Sequence, residues 1–301
     1  MKKNALGLYC GPIPTKEIFS AYAEAGVEVM ELSPHDDDYE RIFADRKNLC
    51  RMAEEHGVFM RSLHLPFGME RINFSAPDAE ERKRTLALQL HMIEGAASLG
   101  CEVAVLHSGI PVVQAERPTC MEQAKEALFK LQTAASRLGV TVAVENLLPS
   151  CLGRNSAEIL DLLSVHPDLR ACFDANHLFK ETHEDFLRAV GKKLISTHFS
   201  DYDFIDERHW LPGEGRIDWP LIMKTLFEVG YEGPILYEAN PRITPKTITR
   251  RPLTLSDYRE NYEALMRGER PAPIGTPNEE VCRSIVFAER YFKNFGVKYE
   301  A

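Results

Sequence analysis

Short, mainly apolar runs recur along the chain at Val27–Leu32, Val58–Leu63, Cys101–Leu106 and Val140–Val144, and a glycine stands immediately before each. Gly230 likewise precedes the run Tyr231–Tyr237. Runs that are apolar throughout, rather than strictly alternating, suit parallel strands covered on both faces. Glycine just past a helix end supplies the left-handed conformation that stops the helix. Between the runs the spacing changes. Leu86, Leu90, Ile93 and Ala97, and then Ala124, Leu128, Leu131, Ala135 and Leu138, step by three or four as one face of a helix does. Trp219-Pro220 followed by Ile222, Leu226 and Val229 predicts another helix, with proline in its first turn.

Adding the weaker runs Asn4–Tyr9, Leu169–Phe173 and Leu194–Thr197 gives eight strands before residue 240, each followed by a mainly helical connection. Eight such units predict an α/β fold of the (β/α)8 TIM barrel class. An open doubly wound sheet would carry a glycine-rich phosphate turn after its first strand, and Cys10-Gly11-Pro12-Ile13-Pro14 is not one. The barrel is assigned to residues 1–240. Residues 241–301 form a C-terminal extension: a proline-, threonine- and arginine-containing stretch to Pro252, a helix over Leu255–Met266, a loop over Gly268–Pro277 and a terminal helix over Glu279–Phe295. One of these helices is expected to serve as the eighth barrel helix, and the segment could cap a pocket or support a homodimer.

Six strand runs end in metal-ligand residue types: His64, His107, Glu145, Asp174, His198 and Glu238, with His177 three residues after Asp174. In a (β/α)8 barrel all strand C-termini open on one face, so these residues should surround one pocket. A single histidine or glutamate at a strand end is ordinary; six in order predict a site. Glu145, Asp174, His198 and Glu238 supply three oxygen donors and one nitrogen donor, a set that suits one divalent metal: Mn²⁺, Zn²⁺, Mg²⁺ or Co²⁺. Carboxylates gathered on neighbouring strands also repel without a cation. After the seventh strand, Glu207-Arg208-His209 and the loop Pro212-Gly213-Glu214-Gly215 follow. Glu207 and His209, with His177, could hold a further cation; equally, Arg208 and His209 could bind substrate oxygens or phosphate. The two glycines would let backbone approach a ligand closely.

Composition narrows the partners. The net charge of −9 disfavours a protein that grips phosphate backbones, so no nucleic acid is expected and a small polar substrate is the better fit. No apolar run approaches the ~18 residues of a membrane span, and no signal-peptide core follows Met1, which makes the cytoplasm the expected location. Seven scattered cysteines without a CxxC pair predict reduced thiols.

The ordered set Ser62-Leu63-His64-Leu65-Pro66, Leu106-His107-Ser108-Gly109, Val144-Glu145-Asn146, Phe173-Asp174-Ala175-Asn176-His177, Thr197-His198-Phe199-Ser200-Asp201, Leu211-Pro212-Gly213-Glu214-Gly215-Arg216-Ile217-Asp218-Trp219 and Gly230–Glu238 resembles the xylose isomerase-like barrel superfamily. That superfamily contains sugar phosphate isomerases/epimerases and, more distantly, class II apurinic endonucleases. The resemblance implies that Glu145, Asp174, His198 and Glu238 match the single-metal site of the epimerase-like members. It further implies that His64, His107, His177 and the pair Glu207/His209, where the endonucleases have an Asp-x-His pair, match the extra ligands of their trinuclear zinc site. The leading expectation is a metal-dependent carbohydrate isomerase or epimerase. Glu145 and Glu238 would exchange a proton next to a carbonyl through a metal-stabilised enediolate, while His64, His177 and Arg208 orient hydroxyls. A zinc-dependent phosphodiesterase acting at abasic DNA and a non-catalytic sugar-binding barrel are the alternatives.

Overall fold

The structure is a computed structural model, and it describes residues 2–35, 38–67, 72–76, 78–240 and 247–284. Eight parallel strands form the sheet: β1 (Leu6–Cys10), β2 (Val29–Leu32), β3 (Phe59–His64), β4 (Val103–His107), β5 (Thr141–Glu145), β6 (Arg170–Asp174), β7 (Leu194–His198) and β8 (Ile235–Tyr237). Neighbours follow chain order from β1 to β7, and β8 returns to pair with β1. A parallel bridge between Phe199 and Tyr237 then brings β7 to β8, making the nearly closed barrel that the sequence predicts. The five glycines singled out as helix stops, at 26, 57, 100, 139 and 230, all have φ between 65 and 77°.

Helices α1 (Lys16–Glu24), α2 (Asp38–Ala44), α3 (Arg46–His56), α4 (Ala79–Ser98), α5 (Arg117–Arg137), α6 (Ser156–Leu163), α7 (His183–Val190) and α8 (Trp219–Glu228) connect the strands. Several begin on a side-chain cap: Thr15, Asp78, Asn155, Thr182 and Asp218 each accept a backbone N–H of the first turn. The main core lies between strands and helices and contains Leu63, Ile93, Leu106, Leu128, Val144 and Phe173. A second, smaller cluster of Val103, Val105, Ala143 and Cys172 fills the barrel interior, with Ile195 packed against it.

Helix α9 (Leu255–Met266) sits beside α8, and its Arg259 lies against Gly26 after α1, so this is the eighth barrel helix. Tyr258 and Tyr262 tie it to the carbonyls of Ala239 and Asn4. The strands β9 (Ile248–Thr249) and β10 (Thr276–Pro277) pair antiparallel, and α10 (Glu279–Ser284) follows. The remainder of the expected terminal helix, from residue 285, lies outside the described residues. Among the described residues no helix is long and apolar enough to cross a membrane. All seven cysteines are free thiols.

The loop Leu211–Gly215 fastens this extension to the barrel. Glu214 is buried, accepts the N–H groups of Leu211 and Gly275, and lies 3.2 Å from Arg250. A Cβ on Gly213 would meet the Pro271 carbonyl at 2.3 Å, and one on Gly215 would meet Asp201 at 2.2 Å. These glycines therefore serve close packing of chain on chain, not the approach to a ligand that the sequence suggested.

Candidate active site at the strand C-termini

The alternation of side chains along a strand decides which residues face the barrel axis. Val103 and Val105 lead to His107, Ala143 to Glu145, and Cys172 to Asp174, so each apolar interior column ends in a polar donor. Strand register then aligns the ends: His107 is paired with Glu145, and Asp174 with His198. Five of the six predicted residues are the last residue of their strand, and Glu238 follows β8 directly.

Three donor groups result, each with ligand atoms within 4.8 Å of one another: Glu145/Asp174/His198/Glu238, His64/His107/Glu145 and His177/Glu207/His209. Glu145 is the hub. Its Oε2 lies 3.2 Å from His64 Nε2, 3.4 Å from His107 Nε2 and 3.3 Å from His198 Nδ1, and its Oε1 lies 3.3 Å from His177 Nδ1. His198 Nδ1 is also 3.0 Å from Glu238 Oε2 and 3.9 Å from Asp174 Oδ2. Glu207 Oε1 stands 3.3 Å from His177 Nε2 and 2.5 Å from His209 Nε2.

Backbone carbonyls fix three of the imidazoles. Nδ1 of His64, His177 and His209 faces the oxygens of Leu65, Asn146 and Glu238 at 2.9, 3.0 and 3.1 Å. Each Nε2 is thereby turned into the pocket onto a carboxylate, Glu145 for His64 and Glu207 for His177 and His209. His209 adopts this pose with a φ of 51°, a left-handed backbone uncommon for a side chain of its size. Asp174 takes the Asn176 N–H on Oδ1, at 2.5 Å, and has Oδ2 left over.

A cation fits this chemistry. Asp174 Oδ2, His198 Nδ1 and Glu238 Oε2 are all buried and lack a hydrogen-bond partner, although they converge on one point. Buried polar atoms are almost always paired, so three orphans in one donor group mark a binding position. The proton balance agrees. Burial raises the Glu145 carboxyl, but the surrounding His198, His107 and His177 rings hold it well below the usual range. Glu238 is likewise drawn down to about 2, against its burial, by His198 and His209. Burial, with Glu145 and Glu238 nearby, pushes Asp174 up to about 7. Burial lowers His198, but Cys172, Glu31, Glu238 and Glu145 around it raise it well above the ordinary imidazole value. Positive charge at the centre of this donor group is thus favoured.

Arg208 is placed differently from the rest. Its Nε donates to Asp203 at 2.9 Å, Nη2 donates to the Cys282 carbonyl at 2.9 Å, and Nη1 is 3.6 Å from Asp206. The guanidinium thus anchors α10 rather than joining any of the three donor groups.

Glu31 was not singled out in the sequence, yet it stands behind the site. It is buried, with Oε1 2.9 Å from His198 Nε2 though out of line for a hydrogen bond, and Oε2 accepts the Ser62 hydroxyl at 2.7 Å. Its one sequence signal was a carboxylate with apolar neighbours on both sides in Val29-Met30-Glu31-Leu32.

A cavity of about 1090 Å³ opens beside Glu238 and His209. It runs past Tyr9 and the loop Gly11–Ile13 to α1, and is bounded by the segment after β2, Phe67 and the start of α9.

The sequence of residues 19–257 matches the xylose isomerase-like TIM barrel family. The chain belongs to that family. An uncharacterized protein of Methanocaldococcus jannaschii is 26% identical over 80% of this chain and 90% of its own length. A fructoselysine 3-epimerase of Escherichia coli O157:H7 is 29% identical over 36% of this chain, and an inosose isomerase of Bacillus licheniformis is 29% identical over 49%. Those matches span 42% and 57% of the two enzymes, less than two thirds of each. Among solved structures, an L-ribulose 3-epimerase superposes with a TM-score of 0.73 at 17% identity, covering 99% of both chains. A D-tagatose 3-epimerase-like protein gives 0.73 at 20% identity, covering 93% and 98%. The named homologues of this chain are therefore a sugar epimerase and an inosose isomerase, and the structural likeness establishes the shared fold.

Proposed function

We propose that this xylose isomerase-like barrel is a metal-dependent carbohydrate epimerase or isomerase that moves a proton on the carbon beside a ketone. The observation that carries the reading is the convergence of three buried, partnerless donor atoms, Asp174 Oδ2, His198 Nδ1 and Glu238 Oε2, next to the ionised Glu145. Glu145, Asp174, His198 and Glu238 would hold one divalent ion, which when bound supplies Lewis acidity toward a ketone and its neighbouring hydroxyl. The choice among Mn²⁺, Zn²⁺, Mg²⁺ and Co²⁺ is left open by this donor set.

The proton steps fall to the chain's own residues. Glu145 and Glu238 enter the site from β5 and from the end of β8, and both are held ionised by the histidines beside them. One carboxylate takes the proton from the carbon next to the carbonyl; the other, once protonated, returns one. His209, raised to about 9 by Glu207 against its burial, faces the Glu238 backbone carbonyl, and its charge helps to hold the Glu238 carboxyl low. His64 and His177 face the same space and suit substrate hydroxyls. Support from the relatives is of the same kind, since the named ones act on keto sugars or cyclic polyol ketones. A panel of ketoses and inosose-type ketones, incubated with the metal-loaded protein and followed by NMR, tests the reading; no conversion of any member would refute it.

A second reading is favoured by one observation: the two remaining donor groups, His64/His107/Glu145 and His177/Glu207/His209, are complete enough to hold cations too. Three zinc ions would suit phosphodiester cleavage at abasic DNA. The net charge of −9 weighs against a nucleic-acid substrate. Metal analysis separates the two: one tightly held divalent ion per chain supports the epimerase, and three zinc ions with cleavage of an abasic duplex support the phosphodiesterase.

A further inference from the structure

The cavity beside Glu238 is much larger than a single sugar requires. Its volume, about 1090 Å³, lies just above the ~300–1,000 Å³ usual for pockets that take drug-sized ligands. A lone hexose seated at Glu238 would leave most of this space to water.

The part of the cavity between α1 and α9 is mainly apolar. Ile13, Ile18, Leu253 and Leu255 line it together with Tyr22 and Tyr258. The tyrosine hydroxyls are already committed: Tyr22 donates to the Tyr9 carbonyl at 3.0 Å, and Tyr258 donates to the Ala239 carbonyl at 2.8 Å. What these two residues offer a ligand is therefore ring surface. Arg41 is the sole arginine or lysine among the described lining residues, and its Nη1 lies 2.6 Å from Asp38. Beyond His209 at the sugar end, a phosphate group would find only that exposed and already paired arginine, whereas an apolar or ring-shaped group would find a surface of matching character.

We infer that the substrate is a keto sugar carrying an apolar or ring-shaped substituent, joined through a linkage that leaves the ketone free. This rests on the epimerase reading above. The sugar end would lie at Glu145 and Glu238, and the substituent would run between α1 and α9. Burial of apolar surface there would contribute binding energy that an unsubstituted sugar lacks.

The test uses the metal-loaded enzyme and one ketohexose in three forms: unsubstituted, as a benzyl ether at either terminal carbon, and as the corresponding terminal phosphates. The expected result is a kcat/KM at least tenfold higher for one of the benzyl ethers than for the unsubstituted sugar. Ile18→Trp, which fills the far part of the cavity from α1, should shrink that preference. Equal or better turnover of the free sugar, or a preference for the phosphate, would overturn the substituent while leaving the epimerase intact. If none of the forms is converted by the wild-type enzyme, and a wider ketone panel is also inert, the reading beneath it falls as well.

Discussion

Glu31→Gln is the most informative substitution away from the donor atoms themselves. The wild-type carboxylate lies 2.9 Å from His198 Nε2, out of line for a hydrogen bond, and its charge favours a proton on that side of the ring, with Nδ1 turned toward Glu145, Asp174 and Glu238. Ser62 holds the other oxygen at 2.7 Å, which fixes the carboxylate's rotation. Glutamine keeps the shape but removes the charge that favours imidazole basicity. If its amide nitrogen turns toward His198, the ring must carry its proton on Nδ1, the nitrogen a cation needs. Loss of such an outer partner typically weakens a metal site 10–100-fold, about 1.4–2.8 kcal/mol. Calorimetric titration of the metal-free protein with Mn²⁺ or Zn²⁺ measures this directly, and the Tm of the metal-free variant reports on the fold separately. An affinity within twofold of wild type would refute the role assigned to Glu31. A lowered Tm with unchanged affinity would make Glu31 merely structural.

Other outcomes follow from the same geometry. His209 is raised from 6.5 to about 9, so the stability it contributes is complete below 6.5 and disappears as pH rises through 9. The Tm of the metal-free protein should fall across that window, and saturating divalent ion should flatten the fall; a rising Tm would contradict the charge balance described. Gly95 on α4 packs beneath Phe43, where an added Cβ would lie 2.1 Å from the ring. Gly95→Ala should therefore destabilise by about 1–3 kcal/mol despite alanine's better helix propensity, as chemical denaturation would show. Asp201 accepts the N–H groups of Tyr202, Gly213 and Ile217 and the Trp219 indole N–H. Asp201→Ala should lower Tm sharply without changing the metal affinity of whatever protein folds.

The strands and the ring of donors were legible because both follow from short-range rules. Apolar runs after helix-stopping glycines marked the strands, and strand parity carried the interior columns of Val105, Ala143 and Cys172 to His107, Glu145 and Asp174. The roles of individual polar residues were less legible, because they depend on which partner lies across the barrel. Arg208 read as a substrate group and instead ties Asp203 and Asp206 to the Cys282 carbonyl. Glu31 passed unremarked within its strand, and its meaning comes from His198, far away in sequence but adjacent in space. Gly213 and Gly215 were correctly read as places of close approach, but the approaching chain is Pro271 and Asp201 rather than a ligand.

The central claim is that Glu145 and Glu238 exchange a proton on the carbon next to a ketone. Proton NMR of a converted ketone in D₂O, with metal-loaded enzyme, measures that exchange at the carbon concerned. The account predicts deuterium at that carbon with wild-type protein and none with Glu145→Gln or Glu238→Gln, both still folded. Conversion without incorporation, or incorporation undiminished in either variant, would contradict it.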